Sequence, residues 1–297
     1  MSISVKINEC PRDAMQGIKQ FIPTDKKVAY INALLKVGFD TLDMGSFVSP
    51  KWVPQMADTV DVLKQINTEG SKSKLSVIVA NMRGAHDAVK YHSITYLGFP
   101  FSISETFQHR NTNAGLDKAY ETASEMISLC NAHNKQFIAY LSMAFGNPYG
   151  DEWSVEVAEK WIKKLQKIGA NYIMLSDTIG VADATTIEYF FKNITRIFPG
   201  IDFGAHFHTT PTTWKQKIEP AYINGCKRFD GAIKGFGGCP MAKDDLTGNM
   251  PTENMVDYFT NKGIDTGLDL DAFAAAMELS KEIFPQDLFA DHYRPAK

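Results

Sequence analysis

QFIAYLSMAFGNPYGDEWSVEVAEKWIKKLQKIGANYIMLSD (136–177) contains one complete repeat of the fold. Its first seven residues, QFIAYLS (136–142), form a short apolar run rich in strand formers. Beyond a loop containing Gly146, Pro148 and Gly150, Ser154 stands where a helix N-cap belongs, and Val157, Trp161, Leu165 and Ile168 follow on one helical face. Gly169 is placed to stop that helix, and NYIMLSD (171–177) starts the next strand. Strand, crossover helix, strand is the unit of a parallel sheet.

The same alternation runs along the chain. Strand candidates are SVKINEC (4–10), FDTLDMG (39–45), LSVIVA (75–80), SITYLGF (93–99), QFIAYLS (136–142), NYIMLSD (171–177), FGAHFH (203–208) and FDGAIKG (229–235). Thr24 is expected to cap a helix burying Val28, Ile31, Leu34 and Leu35, with Gly38 ending it. Eight such units without a compositional break predict an α/β fold, a (β/α)8 TIM barrel. A barrel of this kind uses about 250 residues. The surplus falls after Gly235, where 251–262 and 270–284 read as extra C-terminal helices. No proline- or glycine-rich linker divides the chain, so residues 1–297 are expected to form one domain.

A net charge of −3 without a basic block gives no nucleic-acid footprint. Cysteines at 10, 130, 226 and 239 include no CxxC pair, which fits a reducing compartment. No apolar run is long enough to span a bilayer, and the N-terminus lacks a basic leader followed by an apolar stretch. The expectation is a cytoplasmic protein with no membrane role.

In a TIM barrel the chemistry sits where strands end. Arg12, Asp13, Asp43, Ser46, Asn81, Ser142, Asp177, His206, His208, Cys239 and Asn249 are the polar residues expected there. His206 and His208 are two apart in a strand, so their rings leave the backbone on one side. That spacing alone also fits one inward histidine beside a coincidental neighbour. With Asp13 and Asn249 at the same barrel end, the set makes a mixed nitrogen and oxygen shell. It suits Mg²⁺ or Mn²⁺, and could take Zn²⁺, Co²⁺ or Ni²⁺. Arg12, next to Asp13, either makes a structural salt bridge or holds a substrate oxygen that gains charge. GFGGCPMA (235–242) puts Cys239 in a glycine-rich loop able to bring a thiol over the site, while Cys10, Cys130 and Cys226 read as buried packing.

PRDAMQ (11–16), SFVSPKWVPQM (46–56), SETFQHRNTN (104–113), LSMAFGNPY (141–149), SDTIGV (176–181), HFH (206–208), GFGGCP (235–240) and TGNMPTEN (247–254) occur in this order. Together they resemble the hydroxymethylglutaryl-CoA lyase family, one of the metal-dependent TIM barrels that make or break carbon–carbon bonds. The resemblance runs from about residue 8 to 270. It implies cleavage of 3-hydroxy-3-methylglutaryl-CoA to acetyl-CoA and acetoacetate, with an acyl-CoA as substrate and a homodimer as the assembly. Carried over, Asp13, His206, His208 and Asn249 bind the divalent cation. Arg12, Asp13, His206 and Cys239 form the catalytic set, Arg12 stabilising the enolate and Cys239 moving a proton. Gln16, Asp43, Asn111, Asn113, Ser142 and Asp177 match substrate-binding positions.

The chain departs from the family at several of these points. The family usually has Gly at Ala14, Glu at Asp43, Ser at Met174 and Asp at Thr209, and its loop between Cys239 and Asn249 is one residue shorter. Thr209 is expected to remove a partner of a metal-binding histidine. Two other readings stay open: a synthase condensing acetyl-CoA with a 2-oxo acid, and a metal- or ligand-binding barrel without catalysis.

Overall fold

In a computed structural model, residues 5–238 and 247–284 are described. Eight parallel strands form the barrel: β1 (Lys6–Glu9), β2 (Thr41–Ser46), β3 (Lys74–Ile78), β4 (Ile94–Ser102), β5 (Gln136–Ser142), β6 (Tyr172–Asp177), β7 (Asp202–Thr209) and β8 (Arg228–Gly231). Each pairs with its neighbours in chain order, and β8 pairs with β1, so the sheet closes. The expected (β/α)8 barrel is therefore the observed one. A ninth strand, β9 (Gly248–Asn249), was not foreseen; it pairs antiparallel with the end of β7.

Around the barrel lie α1 (Pro11–Gln16), α2 (Thr24–Val37), α3 (Thr59–Gln65), α4 (Met82–Ala88), α5 (Glu105–Thr112) and α6 (Leu116–Ala132). They continue as α7 (Val155–Lys167), α8 (Ala184–Ile197), α9 (Trp214–Ile223), α10 (Thr252–Asn261) and α11 (Leu270–Ile283). Of the two helices expected to be extra, α10 follows β8 and completes the eighth unit, and only α11, packed on α2, is additional. No helix among the described residues is long and apolar enough to cross a membrane.

Local signals explain most element ends. Ser154 caps α7 by accepting from Val157 N at 3.2 Å. Gly38 ends α2 at φ 82°, a left-handed turn that costs glycine little. Thr24 is not the cap expected of it: Pro23 precedes the helix, and Thr24 Oγ1 donates to Asp58 Oδ2 at 2.8 Å. The strand expected over 229–235 stops at Gly231, because 233–235 turn into a 3-10 segment with Lys234 at φ 64°.

All six residues of β2 and of β6 are buried, as a sheet covered on both faces requires. Outward side chains meet the helices in the main core. Inside the barrel, Tyr96, Ile138, Tyr172 and Met174 form a separate cluster with Tyr140 packed against it. Gly204 makes room for it: a Cβ there would lie 2.3 Å from Met174 Sδ. Below, Arg228 closes the barrel floor by pairing with Asp202 at 2.7 Å and with Asp40. Asp13, Asp43, His206 and His208 lie nearer the opposite, C-terminal end.

Candidate active site

Asp13 and Arg12 come from α1, a short helix that Pro11 starts directly after β1. His206 and His208 lie on β7, their ring centroids 5.3 Å apart. One ligand atom from each of Asp13, His206 and His208 falls within 4.8 Å of the others. Asn249 reaches this group through β9, where it is the register partner of His208. Its Nδ2 donates to Asp13 Oδ2 and to Phe236 O, both at 2.8 Å, which leaves Oδ1 as its remaining ligand atom. The structure thus brings together all four residues expected to hold a cation.

The donor set suits a cation. His208 is buried, and among the described residues neither ring nitrogen has a well-formed hydrogen bond, although the Thr178 backbone favours its protonated form. A buried polar atom without a partner is costly. Burial, reinforced by His206, lowers His208 to about 4, so its ring is neutral and offers a lone pair. Burial alone would raise Asp13, but Arg12, the two histidines and the Asn249 amide hold it at about 2. His206 places Nδ1 3.0 Å from Asp230 Oδ2, leaving Nε2 for a ligand. A carboxylate, two imidazoles and an amide oxygen match a mixed-donor divalent site.

Arg12 is tightly placed. Its Nε and Nη2 donate to Asp43 Oδ2 at 3.0 and 2.6 Å, and Nη1 donates to Asp13 Oδ1 and Gln16 Oε1, both at 2.8 Å. A guanidinium has five N–H groups, so one on Nη2 remains for a substrate oxygen. Burial works against the charge of Arg12, yet Asp43 and Asp13 hold it firmly protonated. Burial raises Asp43 to about 6 despite Arg12. Gln16 also donates from Nε2 to Asp13 Oδ1 at 2.8 Å, so it braces Arg12 against Asp13.

Other expected site residues fall differently. Ser142 ends β5 with its hydroxyl uncommitted among the described residues. Asp177 spends both oxygens on the scaffold: Oδ1 accepts from Val181 N and Ala182 N, and Oδ2 takes Lys217 Nζ at 2.6 Å. Both oxygens are thus engaged by the scaffold in this structure. Asn111 and Asn113 are exposed at the end of α5, and no hydrogen bond among the described residues ties them to the cluster. Ser46 binds backbone at the end of β2, and Asn81 caps α4. Cys239 lies outside the described residues; Cys10, Cys130 and Cys226 are buried, as expected of packing.

Thr209 corrects one expectation in part. It leaves His206 supported, because Asp230 on β8 is its partner, while His208 stays without a well-formed ring partner among the described residues, as expected. Thr209 Oγ1 instead donates to Asn249 O at 3.2 Å and holds β9 in place. Sequence reading missed Asp230, Asn8, Lys217 and Tyr140, whose ring stands edge-on to His206 at 5.8 Å. Strand alternation was the available signal: a carboxylate on the inward side of β8 needs a reason to be there.

Closed barrel and strand-end cluster together define a TIM barrel with a candidate cation centre at its catalytic end, and its relatives make it a carbon–carbon lyase. The chain belongs to the HMGL-like family, whose model matches residues 6–279. It is 32% identical over 267 residues to a human protein named 3-hydroxy-3-methylglutaryl-CoA lyase, cytoplasmic, covering 90% of this chain and 71% of that one. It is 30% identical to the hydroxymethylglutaryl-CoA lyase of Bacillus subtilis, covering 92% and 90% of the two chains. A crystal structure of the Bacillus subtilis HMG-CoA lyase superposes with a TM-score of 0.89 at 29% identity, covering 97% and 98%. An HMG-CoA lyase from Acinetobacter baumannii, in complex with coenzyme A and 3-methylmalate, gives 0.86 at 27% identity and full coverage of both chains.

Proposed function

We propose that this protein cleaves 3-hydroxy-3-methylglutaryl-CoA, or a close 3-hydroxyacyl-CoA, to acetyl-CoA and acetoacetate or its counterpart. The observation that carries this reading is the meeting of Asp13, His206 and buried His208, whose ring nitrogens have no well-formed hydrogen bond among the described residues, beside the fixed guanidinium of Arg12. Asp13, His206, His208 and Asn249 would hold a divalent cation, Mg²⁺ or Mn²⁺. When bound, such a cation supplies Lewis-acid polarisation of the substrate's tertiary hydroxyl, lowering its pKa.

The reaction breaks the bond between C2 and C3. Transfer of the hydroxyl proton to a base, for which the proposed catalytic set offers Asp13 and His206, turns C3 into the ketone of acetoacetate, while C2 keeps the bonding electrons as the enolate of acetyl-CoA. The remaining Nη2 hydrogen of Arg12 meets the thioester oxygen, where that charge collects. Asp43 and Gln16 keep the guanidinium in place at no cost during the reaction. Cys239 would deliver a proton to C2, a role that rests on the family resemblance. With this reading go one catalytic domain over residues 1–297, a homodimer and a cytoplasmic location. Coenzyme A in the Acinetobacter baumannii complex supports an acyl-CoA partner.

Acetoacetate release from hydroxymethylglutaryl-CoA by metal-stripped protein tests the reading. Addition of Mn²⁺ or Mg²⁺ should restore turnover, and Arg12→Gln should lose at least ~100-fold in kcat while still binding Mn²⁺. Silence with both ions would turn attention to another acyl-CoA. Loss of Mn²⁺ binding in Arg12→Gln would move Arg12 from the reaction to the metal scaffold.

A further inference from the structure

Asp230 lies in the barrel interior on β8, level with Asn8 on β1, and is 3% exposed. Its two oxygens do different things. Oδ2 sits 3.0 Å from His206 Nδ1, and Oδ1 accepts from Asn8 Nδ2 at 2.7 Å. Asn8 cannot turn its amide over without loss. Its carbonyl oxygen faces Arg228 Nη1 at 3.4 Å, and its nitrogen also lies 3.2 Å from the Tyr172 hydroxyl. Arg228 is anchored in turn by Asp40 and Asp202 at the barrel floor. A polar line thus runs inside the barrel from the floor ion pairs through Asn8 and Asp230 to His206. Tyr140, edge-on to the ring at 5.8 Å, limits its rotation from another side. His208 has no comparable support, since both its ring nitrogens lack a well-formed partner.

We propose that Asp230, held by Asn8, is a positioning residue for the cation centre: it fixes the ring plane and tautomer of His206 so that Nε2 is the ligand atom. The role rests on the proposed cation site. An imidazole whose Nδ1–H is given to a carboxylate is held in one tautomer and is the more basic at Nε2. The acidic partner also adds a negative charge behind the imidazole, on the side away from Nε2. A merely structural His206–Asp230 contact would hold β7 to β8 and leave cation affinity alone.

Mn²⁺ titration of the metal-stripped full chain, followed by electron paramagnetic resonance, separates these roles. Asp230→Asn, which keeps the shape but loses the charge, should weaken Mn²⁺ binding by about 10–100-fold. Asn8→Ala should weaken it in the same direction and by less. In Mg²⁺-loaded protein carrying ¹⁵N-histidine, a downfield Nδ1–H resonance of His206 should be present and should vanish in Asp230→Asn. Affinity of Asp230→Asn within about threefold of the unmutated chain, below the range expected of such partners, would overturn the role. If Asp230→Asn does not fold, unchanged affinity in Asn8→Ala overturns it instead. Failure of the unmutated chain to bind Mn²⁺ would overturn the cation site and this role together.

Discussion

Glu9 at the end of β1 is fully buried, and its hydrogen-bond partners are neutral: Ile233 N at 2.8 Å and Thr252 Oγ1 at 2.5 Å. Burial, with Glu253 and Asp230 adding negative charge, raises it from its ordinary 4.5 to about 8. The folded chain therefore keeps a proton on Glu9 that the unfolded chain gives up, and stability falls as pH rises from about 4.5 through about 8. Glu9→Gln keeps hydrogen-bonding capacity and removes the charge. Thermal melts should match the unmutated protein at pH 4.5 and exceed it above pH 8, with the difference opening between. Equal melts across that range would show that Glu9 is ionised in the fold. Asp43 illustrates the same scale. It stands where the family usually has the longer Glu, and its Oδ1 is buried without a partner among the described residues. Ser76, its register neighbour on β3, has an unpartnered buried hydroxyl as well.

The ends of β6 and β7 are joined by one lysine. Lys217 on α9 reaches Asp177 at 2.6 Å, Gly180 O at 3.0 Å and His208 O at 2.8 Å, so one ammonium binds both strand ends and the turn between them. Both partners of the ion pair are buried. Lys217→Met leaves the Asp177 charge without its cation, which costs about 3–5 kcal/mol. Urea unfolding should show that loss as a lower midpoint with an unchanged slope. A loss under ~1 kcal/mol would mean that the backbone N–H groups satisfy Asp177 alone. β9 depends on close backbone approach in the same region. Gly237, at φ 85°, lies where a Cβ would come 2.5 Å from Asp13 O and 2.8 Å from Asn249 Nδ2. Only glycine lets that turn pass beside two of the four proposed ligands.

For the whole molecule, a cation bound between α1, β7 and β9 should stabilise the fold, because the unfolded chain scatters its ligands. At one hundred times Kd the gain is about 2.7 kcal/mol. In a chain of this size that raises Tm by roughly 4 °C. Differential scanning fluorimetry with Mn²⁺ should show the rise, and chelation should reverse it. No change at saturating Mn²⁺ would argue against a site built from the folded strands.

The barrel was legible because its cause is local. Alternating apolar runs, the Ser154 cap and the Gly38 stop each act within a few residues, and eight repeats of that pattern leave few folds. His206 and His208 were legible for the same reason: two residues apart on one strand must share a side. Asp13, Asn249 and Arg12 were picked out by strand ends and by family resemblance. What each polar group binds was not legible. Asp177 reads as a pocket carboxylate until Lys217, 40 positions on, takes it up. Asp230 and Asn8 are 222 positions apart and meet only because β1 closes the barrel against β8. Local propensity and periodicity determined the elements and their inward faces. Tertiary structure decided which partner each buried donor and acceptor takes, because a hydrogen bond depends on distances of tenths of an ångström between residues that only the closed fold brings together.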